Sequence, residues 1–339
     1  MSPSVFETDV VIVGAGPVGL FAVFECGMVR LKCHVVDALE SAGGQCAALY
    51  PEKPIYDIPG HPRILASDLV ERLIEQAAPF APVYHFGRRV ETLVRQDDGR
   101  WRAGLSDGTV LIAPTVIIAA GVGAFGPNRP PLAGIQEYEG RGVFYLVRRR
   151  DDFRDKRVVI AGGGDSAVDW ALSLADVAAR VMVVHRRPKF RAAPKSAARL
   201  QRLADEGLID LVIPFQLHAL EGREGRLSAV VVATLEGEER RLDADVLLPF
   251  FGLATNLGPI AEWGLNMERN LIAVEQSTCA TSAPGVFAVG DIAHYPGKLK
   301  LILSGFAEAA AAAHAAHAVA RPDEILRFEY STTSGVPGR

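Results

Sequence analysis

The sequence contains no C-x-x-C pair, and its four cysteines, Cys26, Cys33, Cys46 and Cys279, are scattered along the chain. That spacing supplies neither a zinc ribbon nor the framework of a disulfide-stapled secreted domain, so no metal site is expected and a reducing cytoplasm suits the chain. Basic charge is not in excess either. Lys and Arg number 36 against 40 Asp and Glu, a formal net charge of -4, which argues against a whole-surface attraction to nucleic acid or anionic lipid. Long apolar runs are lacking. The most alanine-rich stretch, Ala307 to Ala320, is too short to span a bilayer and carries Glu308, His314 and His317. The N-terminal MSPSVFETD has no basic segment ahead of its first apolar strand, so no signal peptide is expected. What is present is a largely apolar chain, 49% hydrophobic over 339 residues, long enough for two domains.

A strand, a glycine-rich turn and a helix occur twice, first in VVIVGAGPVGLFAVFE and again in RVVIAGGGDSAVDWAL. Each copy leads to a second apolar strand, CHVVD or RVMVVH, as a βαβ unit of a parallel sheet requires. Each is later followed by a meander whose turns are marked by Asp-Asp-Gly, Ser-Asp-Gly and other glycine-rich stretches. The chain then returns to a short strand-like run, Gly285 to Val289, followed by Gly290-Asp291 and a long Ala-rich helix, with no third glycine-rich loop. This predicts an α/β fold of two Rossmann-like three-layer dinucleotide-binding domains, each with a β-meander, the second inserted into the first. The expected boundaries are 1–121 with 248–339 for the first domain and 122–247 for the insertion. Two extended crossings near Gly121 and Gly252 would join them and permit a hinge.

Gly14, Gly16 and Gly19 satisfy G-x-G-x-x-G between a β-branched strand and an apolar helix, with Pro17 inside the motif. The first glycine makes the turn, the second lets backbone approach a pyrophosphate, and the third lets helix and strand pack closely. The helix N-terminus adds unpaired N–H groups and the positive end of its dipole. Asp37, ending the next strand, is placed to accept hydrogen bonds from ribose hydroxyls. The second loop carries Gly162, Gly164, Asp165 and Ser166 in the G-x-G-x-x-A variant, and its following strand ends in His185-Arg186-Arg187 with Arg191 beyond. A carboxylate there would repel a 2'-phosphate, whereas guanidinium groups bind it through charge-assisted hydrogen bonds, so this site is expected to take NADPH. Two nicotinamide sites would have nothing to exchange hydride with. The first site is therefore expected to hold FAD, and Asp291 can accept a ribitol hydroxyl.

The runs SAGGQCAALYPEKPIYDIPGHP, GGGDSAVDWAL, HRRPKFRA and APGVFAVGDIAHYPGKLKLILSGFAEA together resemble the thioredoxin-reductase-like ferredoxin–NADP reductases nearly end to end. Thioredoxin reductase itself shares the second and third runs but needs a C-x-x-C just before its second glycine-rich strand. Here GRGVFYLVRRRDDFRDKRVVIAGGG contains no cysteine, so a dithiol relay is not available. The resemblance implies that Gln45 hydrogen-bonds the flavin, Tyr50 stacks on its ring, the Val90 backbone reads adenine and Phe125 lies beside the cofactor. It further implies that Tyr330 covers the other ring face, with Ser331 and Thr332 touching the flavin.

The implied activity is hydride transfer from NADPH to FAD and single-electron transfer to ferredoxin or flavodoxin, with no side-chain acid or base, in a homodimer. An acidic carrier calls for a basic patch. Arg148, Arg149, Arg150, Arg154, Lys156 and Arg157 lie close together but interleaved with Asp151, Asp152 and Asp155, so docking there and a salt-bridged surface are equally good readings. Reduction of another acceptor, such as rubredoxin or a quinone, and a non-catalytic redox sensor binding FAD and NADPH stay open at the level of sequence.

Overall fold

The computed structural model describes residues 4–147, 149–326 and 335–336, with the side chains of 124–127 and 253–255 left aside. Contacts divide the chain into two units, Met1–Phe125 with Thr255–Arg339, and Gly126–Ala254.

In the larger unit the run Val10–Val13 is buried along its whole length, the pattern of an interior parallel strand. It lies at the centre of a five-stranded sheet in the order Val286–Ala288, Thr115–Ile118, Val10–Val13, Cys33–Asp37, Val83–Phe86, and every pairing is parallel. Alternation along the strand sorts its side chains into two cores. Val10 and Ile12 pack with Ala22, Val23 and Cys26 of helix Pro17–Met28 and with Ala309, Ala312, Ala313 and Ala316 of helix Ile302–Ala320. Those alanines recur at helical spacing, and their small size lets that helix lie close to its neighbour. Val11 and Val13 face the other way, against Leu93, Trp101 and Leu111. These belong to a meander of Val90–Arg95, Trp101–Leu105 and Val110–Ala113. Helices, parallel sheet and meander are thus three layers. Strand Val5–Glu7 adds to the meander, parallel to Val110–Ala113; its three residues are all exposed, so it offers no hydrophobic pattern to read.

The smaller unit repeats the plan. Its parallel sheet runs Asp210–Val212, Arg180–Val184, Arg157–Ala161, Val246–Pro249. Val158, Ile160, Val181 and Val183 face Ala167, Val168 and Leu174 of helix Asp165–Leu174. Val159, Ala161 and Met182 face Leu227, Val230 and Val232 of the antiparallel meander Gln216–Arg223, Arg226–Ala233, Glu239–Asp243. The insertion ends later than the expected residue 247. A boundary there would cut strand Val246–Pro249, all four residues of which are in register with Val158 to Ala161. Segments Ala124–Pro127 and Leu253–Asn256 form a two-stranded ribbon where the chain crosses between units.

A Cβ on Gly19 would lie 1.9 Å from the Gly14 carbonyl oxygen, whereas one on Gly164 would meet nothing within 4 Å. Gly19→Ala should therefore cost about 3 kcal/mol or more of stability, because backbone must move, and Gly164→Ala less than about 1 kcal/mol. Denaturant midpoints of the two variants check this; equal midpoints would refute the close packing of the first turn.

Candidate functional site

The turn between strand Val10–Val13 and helix Pro17–Met28 is bare backbone. Gly14 has a φ of +108°, and a Cβ there would sit 2.4 Å from the Ala119 carbonyl oxygen. Its N–H donates to the Val36 carbonyl at 2.8 Å. Gly16 precedes the helix and Pro17 opens it, where the missing N–H would have been unpaired in any case. Across from Gly16 stands Gly44, whose Cβ would come within 3.1 Å of the Gly16 Cα.

Around this floor opens a cavity of about 490 Å³, a size common for ligand sites. Among the residues expected to bind FAD, Gly14, Gly16, Pro17 and Asp37 line it, as do Gln45, Tyr50, Val90 and Asp291. Gly19 does not line it; its place is the contact of helix against turn. Strand Ala124–Pro127 contains Phe125, whose side chain is outside the described set, and Tyr330, Ser331 and Thr332 lie outside the described residues. Arg88, Arg89, Lys300 and the segment from Asn256 to Ile260 also line the cavity. Sequence reasoning missed them. The Arg-Arg pair directly before Val90 was the available signal.

Asp37 is held rigidly. Its Oδ2 accepts the Ala15 N–H at 2.6 Å and its Oδ1 the Leu39 N–H at 2.8 Å. Burial raises its carboxyl pKa, and those two N–H groups pull in the opposite direction. Burial also raises the Tyr50 phenol well above its ordinary range, with Cys46 adding to the shift. The Cys46 thiol is itself pushed up to about 11, chiefly by burial, so both side chains are neutral at pH 7. Asp291 follows Gly290, and this turn is clamped from behind by Glu308 of helix Ile302–Ala320. The Glu308 Oε2 accepts the Gly290 N–H at 2.7 Å, and its Oε1 accepts from Tyr295 Oη at 2.7 Å and from Lys298 Nζ. The Glu308 and Lys298 side chains are 5% and 4% exposed. In sequence Glu308 had shown only as an interruption in an apolar stretch.

In the smaller unit Gly162 has a φ of +155°, and a Cβ there would sit 2.7 Å from the Phe250 carbonyl oxygen. Gly164 precedes helix Asp165–Leu174, and Ser166 is exposed in its first turn. Asp165 Oδ1 accepts the Ala193 N–H at 2.8 Å, and the Arg191 N–H donates to the Gly163 carbonyl at 2.7 Å. These two bonds draw the segment after the next strand onto the glycine loop. The His185 ring packs over Gly163 and stacks on Phe190 with centroids 5.1 Å apart. Its Nε2 is buried with no partner among the described residues, and burial lowers its pKa, the charges of Arg191, Arg186 and Arg187 acting in the same direction. Arg186, Arg187 and Arg191 are exposed, and none has an ion pair among the described residues. The run from residue 149 behaves differently. Arg149 pairs with Asp152 at 2.7 Å, Arg150 with Asp176 at 2.5 Å, Arg154 with Asp151 at 2.5 Å and Arg157 with Asp245 at 2.7 Å. The salt-bridged reading of that run is the one the geometry favours; Arg148 is outside the described residues.

All four cysteines are free and buried. Spacing alone did not reveal that Cys33 lies against Cys26, an interaction that, with burial, raises the Cys33 pKa. Of the four, only Cys46 lines the cavity. No cluster of three or more His, Cys, Asp or Glu able to hold a metal occurs among the described residues, and no described helix is long and apolar enough to cross a membrane.

Removing Glu308 would strand the Lys298 ammonium in the interior. Glu308→Ala should cost about 3 to 5 kcal/mol, and replacing both partners by Glu308→Leu with Lys298→Met should recover only the part due to the stranded charge, because the Gly290 N–H and Tyr295 Oη still lose their acceptor. Urea unfolding of the single and double variants measures this. A single variant as stable as the parent would show that the clamp contributes nothing.

The pyridine nucleotide-disulphide oxidoreductase family model matches residues 8–320. The ferredoxin–NADP reductase of Paramagnetospirillum magneticum is 73% identical over 331 residues, 98% of each chain. That of Rhodospirillum rubrum is 66% identical over 335 residues, 98% of this chain and 97% of the relative. Among solved structures, Lactococcus lactis thioredoxin reductase superposes with a TM-score of 0.77 at 26% identity, covering 92% of this chain and 99% of that one. The thioredoxin reductase of T. acidophilum superposes at 0.78 with 25% identity, covering 92% and 98%. With two glycine-turn dinucleotide folds and this similarity over nearly its whole length, the chain belongs to the pyridine nucleotide-disulphide oxidoreductase family and, within it, to the ferredoxin–NADP reductases of thioredoxin-reductase-like build.

Proposed function

We propose that the chain is an NADPH-dependent flavoprotein reductase, with FAD in the cleft of the larger unit, NADPH on the Gly162 loop of the smaller one, and ferredoxin or flavodoxin as electron acceptor. The observation that carries this reading is the pair of glycine turns, one beside a rigidly held carboxylate and the other beside three arginines without an ion pair, with no thiol pair lining the cleft, among the described residues. When bound, the flavin supplies the ability to take a hydride and release its two electrons one at a time. The residues position and insulate. Asp37, its carboxylate fixed by two backbone donors, receives the ribose hydroxyls. The first turn of helix Pro17–Met28 presents N–H groups to the pyrophosphate. Gln45, Tyr50 and Asp291 attend the flavin end, Tyr50 by covering a ring face and Asp291 by accepting from ribitol. Because the Tyr50 and Cys46 side chains stay protonated, neither puts a charge against the ring.

In the smaller unit the exposed Arg186, Arg187 and Arg191 give the 2'-phosphate its counter-charge, and the partnerless His185 Nε2 provides a further polar contact at that end. Phe125 beside the cofactor, and Tyr330, Ser331 and Thr332 on the far ring face, belong to the same proposal on the strength of the resemblance. So does pairing of two copies. The four buried free thiols suit a cytoplasmic setting.

Anaerobic addition of NADPH to the purified protein should bleach a flavin spectrum, and the reduced protein should then pass electrons to ferredoxin or flavodoxin but not to thioredoxin. A spectrum unchanged by NADPH, or turnover with thioredoxin alone, would overturn the proposal. Replacing Arg186 and Arg187 together by Ala should raise KM for NADPH about tenfold or more, given the strength of charge-assisted hydrogen bonds, and leave KM for NADH unchanged. Equal losses for both nucleotides would assign the arginines another role.

A further inference from the structure

Three cations line the cleft of the larger unit: Arg88, Arg89 and Lys300. Arg89 pairs with Glu91 at 3.3 Å on the surface. Arg88 is built in. Its backbone N–H donates to the Asp37 carbonyl at 3.1 Å, placing it beside the ribose-reading carboxylate and two residues before Val90. Its Nε donates to Asp107 Oδ2 at 2.8 Å, and its NH1 lies 3.1 Å from His85 Nδ1.

These contacts fix a protonation pattern. A guanidinium only donates, so His85 Nδ1 must accept, and the proton of the neutral ring sits on Nε2. That Nε2 lies 3.0 Å from His34 Nδ1, to which it donates in turn. His85 is 4% exposed. Burial lowers its pKa, Arg88 adds to the shift and Asp107 opposes it; burial and His85 lower that of His34. A neutral His85 is thus the form the surroundings select, and it is the form able to receive Arg88. The remaining N–H donors of Arg88 have no partner among the described residues.

We propose that Arg88 is a specificity-determining residue of the cleft: held by His85 and Asp107, its guanidinium meets the adenosine half of FAD and makes the site prefer the dinucleotide to FMN. The inference rests on the reading of this cleft as the FAD site. Arginine combines a planar face that stacks on aromatic rings with donors for hydroxyl or phosphate oxygen, and its long stem carries rotamer entropy that must be lost on binding. His85 and Asp107 remove that freedom before the ligand arrives. Pre-ordering of this kind strengthens binding without any new contact.

The test compares FAD with FMN on the full-length chain. FAD release from the diluted holoprotein is followed by the return of flavin fluorescence, and FMN affinity is measured after stripping the flavin. Arg88→Met should speed FAD release about tenfold or more, in line with loss of a charge-assisted contact, with FMN affinity unchanged. His85→Leu should shift FAD release in the same direction by less, and His85→Asn, which keeps an acceptor near the Nδ1 position, should restore part of the loss. FAD release from Arg88→Met at the parent rate would overturn the proposal. So would an equal fall in FAD and FMN affinity, which would place the effect in the fold rather than at the adenosine end. A parent protein that purifies without flavin and takes up none would instead sink the FAD reading itself.

Discussion

Backbone meeting backbone without an intervening side chain is the constraint on which both sites depend. At the first turn Gly14 presses against the Ala119 carbonyl, Gly19 against the Gly14 carbonyl and Gly44 against Gly16; at the second, Gly162 presses against the Phe250 carbonyl. At Gly14, Gly19 and Gly162 the approach is closer than a Cβ would tolerate, and at Gly44 it is tight. The result is a helix whose N-terminal N–H groups open onto free space directly above the ends of parallel strands, where a phosphate can reach them. The parallel sheets and their helices then serve to hold that geometry, with one face of each sheet packed on helices and the other on a meander.

Charge is distributed unequally over this frame. Where position must be fixed, charges are spent on the protein itself: Glu308 and Lys298 meet in the interior behind Gly290, and the Asp37 carboxylate is tied to two backbone donors. A ligand needs the opposite, and Arg186, Arg187 and Arg191 are exposed and without an ion pair among the described residues. The basic run from residue 149 shows how little clustering alone means. Its arginines already have carboxylate partners, and exposed pairs of that kind contribute little to stability.

Much of the fold was legible because its signals are local. Glycines at fixed offsets between a β-branched run and an apolar helix mark a turn, and the continuous apolar runs within Val10–Val13 and Arg157–Ala161 mark interior strands. Features made by distant pairings were not legible. Glu308 finds Lys298, Tyr295 and Gly290 only after helix Ile302–Ala320 packs, and Arg88 finds His85 and Asp107 only once the meander closes. Strand Val5–Glu7 has no buried face to show a period. The end of the insertion was expected at residue 247, although the crossing itself was expected near Gly252, because Val246–Pro249 followed by Phe250-Phe251 reads as one apolar stretch, with nothing local to mark which unit owns it.

The discontinuity of the larger unit has a bearing on how the chain is made. Its parallel sheet needs strand Val286–Ala288 beside Thr115–Ile118, and the Gly290 turn needs Glu308. All strands of the smaller unit's two sheets lie between Arg157 and Pro249. Synthesis runs from the N-terminus, and domains fold as units. The inserted unit therefore has its whole sequence outside the ribosome while the larger unit's sheet still lacks an edge strand and its cleft lacks its back wall. The last of the described helices to emerge, Ile302–Ala320, is the one that closes the first site begun.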